Sequence, residues 1–157
     1  MNKKITVGMA NYSFGESSQQ LVARGLGSCL GVVLYCRLKK TGALAHVMLP
    51  DSSDSCVDGN PLRFMDKMLE KVLSLFDKRN IKTDSLEAKL VGGSDMFPFL
   101  TEHVRLIPSM GQKNIESARK LLKEKGINIV GEDVGGNHGR SLRFDLNTGI
   151  VTVEKVI

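Results

Sequence analysis

The sequence predicts a layered α/β domain in which mixed β-sheets pack with two main helices. Strand-like apolar stretches occur near both ends of the chain, and two segments between them carry apolar residues at helical spacing. With 157 residues, of which 41% are hydrophobic, the chain has the size and composition of one globular domain. We therefore expect residues 1–157 to form a single domain.

The first third of the chain predicts a strand, a connection and a hairpin. Residues 5–10 predict the first strand, and the polar run 13–20 predicts a mobile connection. Residues 30–38 are nearly all apolar and rich in β-formers, which indicates a buried strand. A turn at 39–42 leads to a returning strand at 43–49.

The hairpin has a consequence for two side chains. Cys29 immediately precedes its first strand, and His46 lies in its second strand. Antiparallel pairing folds the second strand back along the first. The sequence therefore predicts that His46 returns to the end of the sheet that holds Cys29.

The first helix is predicted to follow a surface loop. Residues 51–59 are acidic, serine-rich and without periodicity, so we expect a loop near the mouth of the site. Asn60 is the expected N-cap, with Pro61 at the first helical position. The apolar positions of this helix lie on one face and are expected to be core: Met65, Met68, Leu69, Val72 and Phe76.

The second helix is predicted from an N-cap at Asn114 to a C-terminal stop at Gly126. Strands are predicted on either side, at 86–91 and 127–130. The inward-facing helix positions are Ile115, Ala118, Leu121 and Leu122.

Residues 94–111 predict a long functional loop or irregular crossover, because they lack periodicity and contain two prolines. Phe97 and Phe99 lie in this segment. Each either fills the core beneath the loop or is exposed to contact a partner helix.

The C-terminal part predicts a glycine-rich loop and a hairpin. The loop at 131–140 ends in two basic candidates, His138 and Arg140, but it lacks the lysine of a phosphate-binding loop, so turns are the favoured interpretation. Alternating apolar residues at 142–146 and 151–155 then flank an Asn-Thr-Gly turn, which predicts a hairpin.

The formal net charge of +5 does not by itself indicate a nucleic-acid or membrane partner. Basic and acidic residues alternate along the predicted helices, and no basic block carries interleaved aromatic residues. Polar residues follow the N-terminal methionine too soon for a secretory segment, and no apolar run has membrane-spanning length. We expect a cytoplasmic protein with no membrane insertion.

The three cysteines do not form a disulfide framework, which fits a reducing compartment. Neither Cys-x-x-Cys nor His-x-x-x-His occurs, so a zinc site is a poor interpretation. The residues from which such a site would have to be built are Cys29, Cys36, Cys56, His46, His103 and His138. We expect no metal.

The stretch Gly25-Leu26-Gly27-Ser28-Cys29-Leu30-Gly31 is the candidate site of covalent chemistry. Glycines free the backbone to turn around the thiol of Cys29, and the N–H groups around Gly27 and Ser28 are candidates to bind an oxyanion. His46 is the candidate base. The alternative is that Cys29 is a structural thiol and His46 a hydrogen-bonded core residue.

The motifs of the chain, in order, resemble those of the CheD family of chemoreceptor glutamine deamidases. They are Gly25-Leu26-Gly27-Ser28-Cys29, Ala45-His46-Val47-Met48-Leu49-Pro50, Gly92-Gly93 with Met96-Phe97, and Glu132-Asp133 with Gly135-Gly136-Asn137 and Arg140-Ser141. The resemblance implies a fold similar to the catalytic domain of cytotoxic necrotizing factor. It also implies that Cys29 and His46 are catalytic and that no cofactor is needed.

The same resemblance implies binding partners, and at one position the chain departs from the family pattern. The substrates would be the cytoplasmic helices of chemoreceptors, and a CheC-type phosphatase would be a binding partner. The protein itself would be a monomer or part of a heterodimer. Where family members commonly carry threonine six residues before the nucleophile, this chain has Ala23, which has no hydroxyl to orient His46. Ser28, Gln20 or a backbone carbonyl are the alternatives for that role.

Overall fold

The computed structural model describes residues 3–53, 59–97 and 108–156. No helix within these ranges is long and apolar enough to cross a membrane. The described strands are β1 (Lys3–Thr6), β2 (Tyr12–Gly15), β3 (Gln19–Leu26), β4 (Leu30–Cys36), β5 (Thr41–Val47), β6 (Glu87–Gly92), β7 (Asn128–Val134), β8 (Gly139–Asp145) and β9 (Val151–Val156). The described α-helices are α1 (Met65–Lys78) and α2 (Met110–Glu124).

The strands form two sheets. The smaller sheet has the order β1-β3-β8-β9, and the larger has the order β2-β5-β4-β6-β7. Each sheet contains one parallel pair, β1 with β3 and β6 with β7, while its other pairs are antiparallel. The prediction of a layered α/β fold with mixed sheets and two main helices is confirmed.

Two apolar clusters define three layers. One cluster, which includes Leu21, Leu44 and Phe144, lies between the two sheets. The other, which includes Leu34 and Phe76, lies between the larger sheet and the helices. The larger sheet is therefore the middle layer, with the smaller sheet on one face and α1 and α2 on the other.

Strands β4 and β5 lie at the centre of this middle layer, and every residue in both strands is buried. A strand covered on both faces carries apolar residues without alternation, which explains the continuous apolar run at 30–36. The pairing places Val32 opposite Ala45 and Gly31 opposite His46. The predicted hairpin is confirmed.

The prediction of a mobile connection at 13–20 is wrong. Residues 12–15 form β2, which pairs with β5, and β3 already begins at Gln19. Phe14 packs against Phe76 of α1, with ring centroids 4.8 Å apart. The aromatic residues Tyr12 and Phe14, at alternating positions, therefore favour a strand more strongly than their polar neighbours favour a loop. The first strand, predicted at residues 5–10, instead spans Lys3–Thr6. The chain beyond it does not continue as a strand, and Ala10 has a positive φ of 58°.

Both helices begin at different residues from those predicted. Asn60 is a cap, but it caps a short 3₁₀ turn, Pro61–Arg63, that precedes α1. The prediction of Asn114 as the second N-cap is wrong, because Ser109 accepts a 3.2 Å hydrogen bond from the Gln112 N–H and α2 begins at Met110. Asn114 is instead fully buried in the second turn of α2.

The glycine-rich loop is shorter than predicted. Strand β7 continues to Val134 alongside β6, and β8 begins at Gly139, so only residues 135–138 connect them. The predicted C-terminal hairpin is confirmed by β8 and β9, in which Leu142 lies opposite Val153. Within the predicted loop 94–111, residues 110 and 111 belong to α2, and residues 98–107 lie outside the described residues.

Candidate active site

The structure brings Cys29 and His46 to the same end and the same face of the larger sheet. Leu30 pairs with Val47, and Gly31 pairs with His46, so Cys29 is a diagonal neighbour of His46. Side chains alternate between the faces of a strand, so Cys29 and His46 both point toward the smaller sheet. Cys29 packs against the cluster between the sheets, as this alternation requires.

His46 is held as a neutral imidazole with a defined tautomer. Its Nδ1 lies 3.4 Å from the carbonyl oxygen of Val7. A carbonyl only accepts hydrogen bonds, so the proton in this contact is on Nδ1 and the lone pair is on Nε2. Burial lowers the pKa of His46, although the Val7 carbonyl opposes the shift. Among the described residues, the buried Nε2 has no hydrogen-bond partner.

Cys29 is half-buried at the end of the strand, and burial raises the pKa of its thiol. Its own backbone N–H has the opposite but smaller effect on the pKa. At neutral pH the thiol is therefore protonated and the imidazole is unprotonated. Neither group is therefore charged at neutral pH, and the two do not form a resting ion pair.

Three consecutive carbonyl groups of the cysteine loop, residues 27–29, are anchored by hydrogen bonds. Two of the donors are backbone N–H groups that follow β6, and the third is a side-chain amide of α2. The bonds run from Gly93 N to Cys29 O at 2.9 Å, from Ser94 N to Gly27 O at 2.9 Å and from Asn114 Nδ2 to Ser28 O at 2.8 Å. The loop is therefore fixed from two sides.

These anchors also orient the N–H groups predicted to bind an oxyanion. In a trans peptide the C=O and the N–H point in opposite directions. Anchoring the carbonyls of Gly27 and Ser28 therefore fixes the directions of the Ser28 and Cys29 N–H groups. Within the described parts of the chain, the Ser28 N–H donates to no other residue. Gly27 and Ser28, the residues predicted to bind the oxyanion, are joined by the peptide that contains this N–H group.

A buried polar network supports the anchor after β6. Ser94 is fully buried and its Oγ donates to the His138 carbonyl at 2.6 Å. Arg140, only 4% exposed, donates from Nη1 to Ser94 Oγ and to Gly135 O, both at 2.7 Å, and from Nε to Asp133 at 3.0 Å. Charge-assisted bonds of this kind are stronger than neutral ones. The network therefore holds Ser94 in the position from which its N–H binds Gly27.

Ser94 and Asn114, which anchor the cysteine loop, were not predicted from the sequence as residues of the site. Asn114 lies at i−4 from Ala118 and i−8 from Leu122, so it falls on the buried stripe of the helix, where an amide is unexpected. This position is a signal that the sequence contained. Ser94 had no comparable signal, because its role depends on contacts with a loop more than forty residues away.

Three exposed apolar residues, Met96, Phe97 and Met110, lie in chain segments next to the anchors of the cysteine loop and are called the apolar rim. The side chain of Met96 lies against Gly27, with Cγ 3.3 Å from where a Cβ would stand. Phe97 is 61% exposed, which excludes the alternative that it fills the core. Met110 is 41% exposed and precedes Gly111, which packs on Ser94. Phe99 lies outside the described residues.

Ala23 is fully buried between the sheets. It neighbours Val7, because Val7 N donates to the Val22 carbonyl at 2.8 Å. Of the alternatives considered for orienting His46, the structure shows a backbone carbonyl in contact with Nδ1, that of Val7. Gln20 instead contacts Asp145, with its Nε2 3.4 Å from Oδ2.

The remaining candidate residues lie apart from this pair or outside the described chain. Cys36 is buried in the cluster on the helix side of the larger sheet, the face opposite to that of His46. His138 lies in the 135–138 loop, and Cys56 and His103 are outside the described residues. In residues 3–53, 59–97 and 108–156, no group of three His, Cys, Asp or Glu side chains could hold a metal ion.

Comparison with known proteins gives consistent matches. A family model described as "CheD chemotactic sensory transduction" matches residues 48–155. A "Probable chemoreceptor glutamine deamidase CheD" of Clostridium novyi strain NT is 39% identical over 157 residues, which cover 99% of this chain and 96% of that protein. Proteins of the same name from Clostridium botulinum strains Hall and Okra are each 36% identical over 154 residues, covering 98% of this chain and 94% of each protein.

The fold and the site define a two-sheet α/β protein with a thiol and an imidazole at one end of its central hairpin. The chain belongs to the CheD family, as shown by the family match over residues 48–155 and by relatives that align with nearly the whole chain. The family model begins two residues after His46, so the match contains neither His46 nor Cys29. The case for these two residues rests on the geometry.

Iodoacetamide should alkylate Cys29 before Cys36, because Cys29 is half-buried whereas Cys36 is 2% exposed. The thiolate is the reactive form, and the pKa of Cys29 is raised. The labelling rate should therefore still be rising above about pH 8.5, where an ordinary thiol is half ionised. Peptide mass spectrometry of samples quenched across a pH series measures both. Earlier labelling of Cys36, or a rate that levels off below that pH, would contradict the site.

Proposed function

We propose that this protein deamidates glutamine side chains of chemoreceptors to glutamate and releases ammonia. The observation that carries the proposal is the pairing of a half-exposed thiol with a buried imidazole whose Nε2 has no hydrogen-bond partner among the described residues. The names of the relatives supply the substrate class, because they are called chemoreceptor glutamine deamidases. A protein–glutamine glutaminase of the thiol type fits both.

The first half of the reaction forms a thioester. Cys29 Sγ bonds to the carbonyl carbon of the glutamine side chain while the thiol proton passes to His46 Nε2. The N–H groups of Ser28 and Cys29 stabilise the oxyanion, since the loop anchors fix their direction. The C–N bond then breaks, and the nitrogen takes the proton from His46 and leaves as ammonia.

The second half of the reaction consumes water. His46 Nε2 removes a proton from a water molecule, which attacks the thioester carbonyl. The C–S bond breaks, and the thiolate recovers its proton from His46. The net change is glutamine plus water to glutamate plus ammonia, so neither a metal nor an organic cofactor takes part.

The exposed apolar rim beside Cys29 fits a helical substrate. Met96, Phe97 and Met110 offer apolar surface to a partner next to the loop that carries the thiol. An amphipathic receptor helix binds such a surface through residues at helical spacing. A glutamine on the same helix then extends to Cys29. In this arrangement Phe97 contributes to substrate binding rather than to chemistry.

A second candidate role is binding to a CheC-type phosphatase. The exposed side chain of Phe97 favours it, because the same apolar rim can contact either a receptor helix or a phosphatase. In this alternative the protein is mainly a regulatory partner in a heterodimer. Both roles place the protein in the cytoplasm, where receptor signalling domains and phosphatases of this class operate. Both also treat residues 1–157 as one domain with the deamidase-like fold.

His46→Ala should abolish deamidation of a receptor cytoplasmic fragment, because it removes the proposed base, which the strand register places diagonally opposite Cys29. The thermal midpoint should also fall, because truncating a side chain that is only 2% exposed leaves a cavity between the sheets, so turnover is measured well below the unfolding transition of the variant. Mass spectrometry of receptor peptides and ammonia release measure turnover.

His138→Ala is the matched control, because His138 lies in the 135–138 loop and its side chain is not part of the pair. It should retain turnover. If His138→Ala loses activity while His46→Ala keeps it, the base has been assigned to the wrong histidine. If wild-type protein produces no glutamate but changes the phosphatase rate of a CheC-type partner, the regulatory role is correct.

Ala23→Thr should raise kcat without a comparable change in KM, because a hydroxyl next to Val7 offers His46 a second acceptor beside the long 3.4 Å contact. A better-held tautomer is worth about 1.4 kcal/mol, or roughly tenfold in rate. Ala23→Val is the matched control, since valine has the shape of threonine without the hydroxyl. A threonine variant no faster than the valine variant would show that Val7 already suffices.

A further inference from the structure

Asn114 is a fully buried amide in the apolar stripe of α2. Its Nδ2 lies 2.8 Å from the carbonyl oxygen of Ser28 and 3.1 Å from that of Met48. Carbonyl oxygens only accept, so these two contacts fix which end of the amide is nitrogen. The amide therefore donates to two backbone segments at once.

The two segments are those that carry the reacting groups. Ser28 immediately precedes Cys29, and Met48 follows His46 by two residues, just beyond the end of β5. The hairpin pairing ends at Leu30 and Val47, so it does not reach the peptide that precedes the thiol. Asn114 continues the connection between the two strands past the last paired residues.

The amide also sets the direction of one catalytic N–H. The carbonyl of Ser28 and the N–H of Cys29 belong to the same planar peptide and point in opposite directions. With the carbonyl held against α2, the Cys29 N–H must point away from α2. The direction of an oxyanion donor matters to the rate, because a donor stabilises developing charge only when it is aimed at it.

Oδ1 of Asn114 is buried and has no hydrogen-bond partner among the described residues. An unsatisfied buried acceptor destabilises the fold. A leucine at this position would remove that cost but would leave the carbonyls of Ser28 and Met48 without their donor, which also destabilises the fold. Apolar neighbours on the stripe, such as Ile115 and Ala118, would accommodate such a change. These two effects on stability oppose each other, so stability and turnover have to be measured separately in a variant at this position.

We propose that Asn114 is a positioning residue, which fastens the Ser28–Cys29 peptide to the end of the histidine strand and thereby aims the Cys29 N–H and holds the thiol beside His46. The proposal rests on the proposed function, because it assumes that Cys29 and His46 react together. Asn114 itself touches no substrate, since its side chain is 0% exposed.

The test compares Asn114→Leu with Ser117→Ala. Leucine matches the shape of asparagine without the donors, and Asn114→Ala replaces it if the leucine variant does not fold. Ser117 lies on the same helix and donates from Oγ to the Pro50 carbonyl at 2.6 Å, two residues beyond Met48. It thus fastens α2 to the chain after β5 but makes no bond to the cysteine loop.

Asn114→Leu should lower kcat for deamidation on the order of tenfold to a hundredfold with KM unchanged within about twofold, because an oxyanion donor loses its aim. Ser117→Ala should keep kcat, although its thermal midpoint should also fall because the Pro50 carbonyl loses its donor. A full kcat in Asn114→Leu would overturn the proposal. Equal loss of kcat in both variants, in proportion to their loss of stability, would also overturn it.

A cycle that needs no receptor separates this proposal from the function on which it rests. The rate of Cys29 alkylation at neutral pH is measured in wild type, His46→Ala, Asn114→Leu and the double variant. We expect His46→Ala to slow alkylation several-fold in wild type and to have little effect once Asn114 is replaced. No effect of His46→Ala in wild type would show that the thiol and imidazole are not paired. The same effect in both backgrounds would overturn only the role of Asn114.

Discussion

The antiparallel pairing of β4 with β5 is the constraint on which the site depends. Because Gly31 lies opposite His46, the thiol one position before β4 falls on the same face as the imidazole. A shift of one residue would turn one of the two side chains toward the helices. Register is specified here by close packing, because Gly31 and Gly42 lie against Leu142 and Phe144 of the smaller sheet with no room for a Cβ. The requirements of the core therefore also determine the geometry of the chemistry.

Burial sets the electrostatics of the pair. It raises the pKa of Cys29 and lowers that of His46, so the uncharged forms dominate at neutral pH. The Val7 carbonyl then selects the tautomer by accepting from Nδ1, which leaves Nε2 as the acceptor. An uncharged pair needs donors to stabilise the charge that develops during attack. In the proposed reaction, the anchored loop around Ser28 supplies them.

The sequence predicted the layers, the central hairpin and the C-terminal hairpin, because each depends on local apolar patterning. It also predicted that Cys29 and His46 lie at one end of the sheet, since glycines mark the turn and the hairpin relates the two positions; their catalytic roles stay a prediction. It misplaced the start of α2, because Asn114 resembles a cap until its contact with Ser28 is known. The Ser94–Arg140 network was out of reach, since it joins segments that are distant in sequence. The likeness to cytotoxic necrotizing factor stays a prediction.

The ionisation and tautomer of His46 test the central claim most directly. Nitrogen-15 NMR of histidine-labelled protein at neutral pH distinguishes a protonated ring nitrogen from an unprotonated one. The two-sheet geometry predicts that Nδ1 of His46 carries the hydrogen and that Nε2 is unprotonated, with an imidazole pKa below the usual value of about 6.5. A charged imidazolium at neutral pH, or a hydrogen on Nε2, would contradict a neutral base poised beside the thiol.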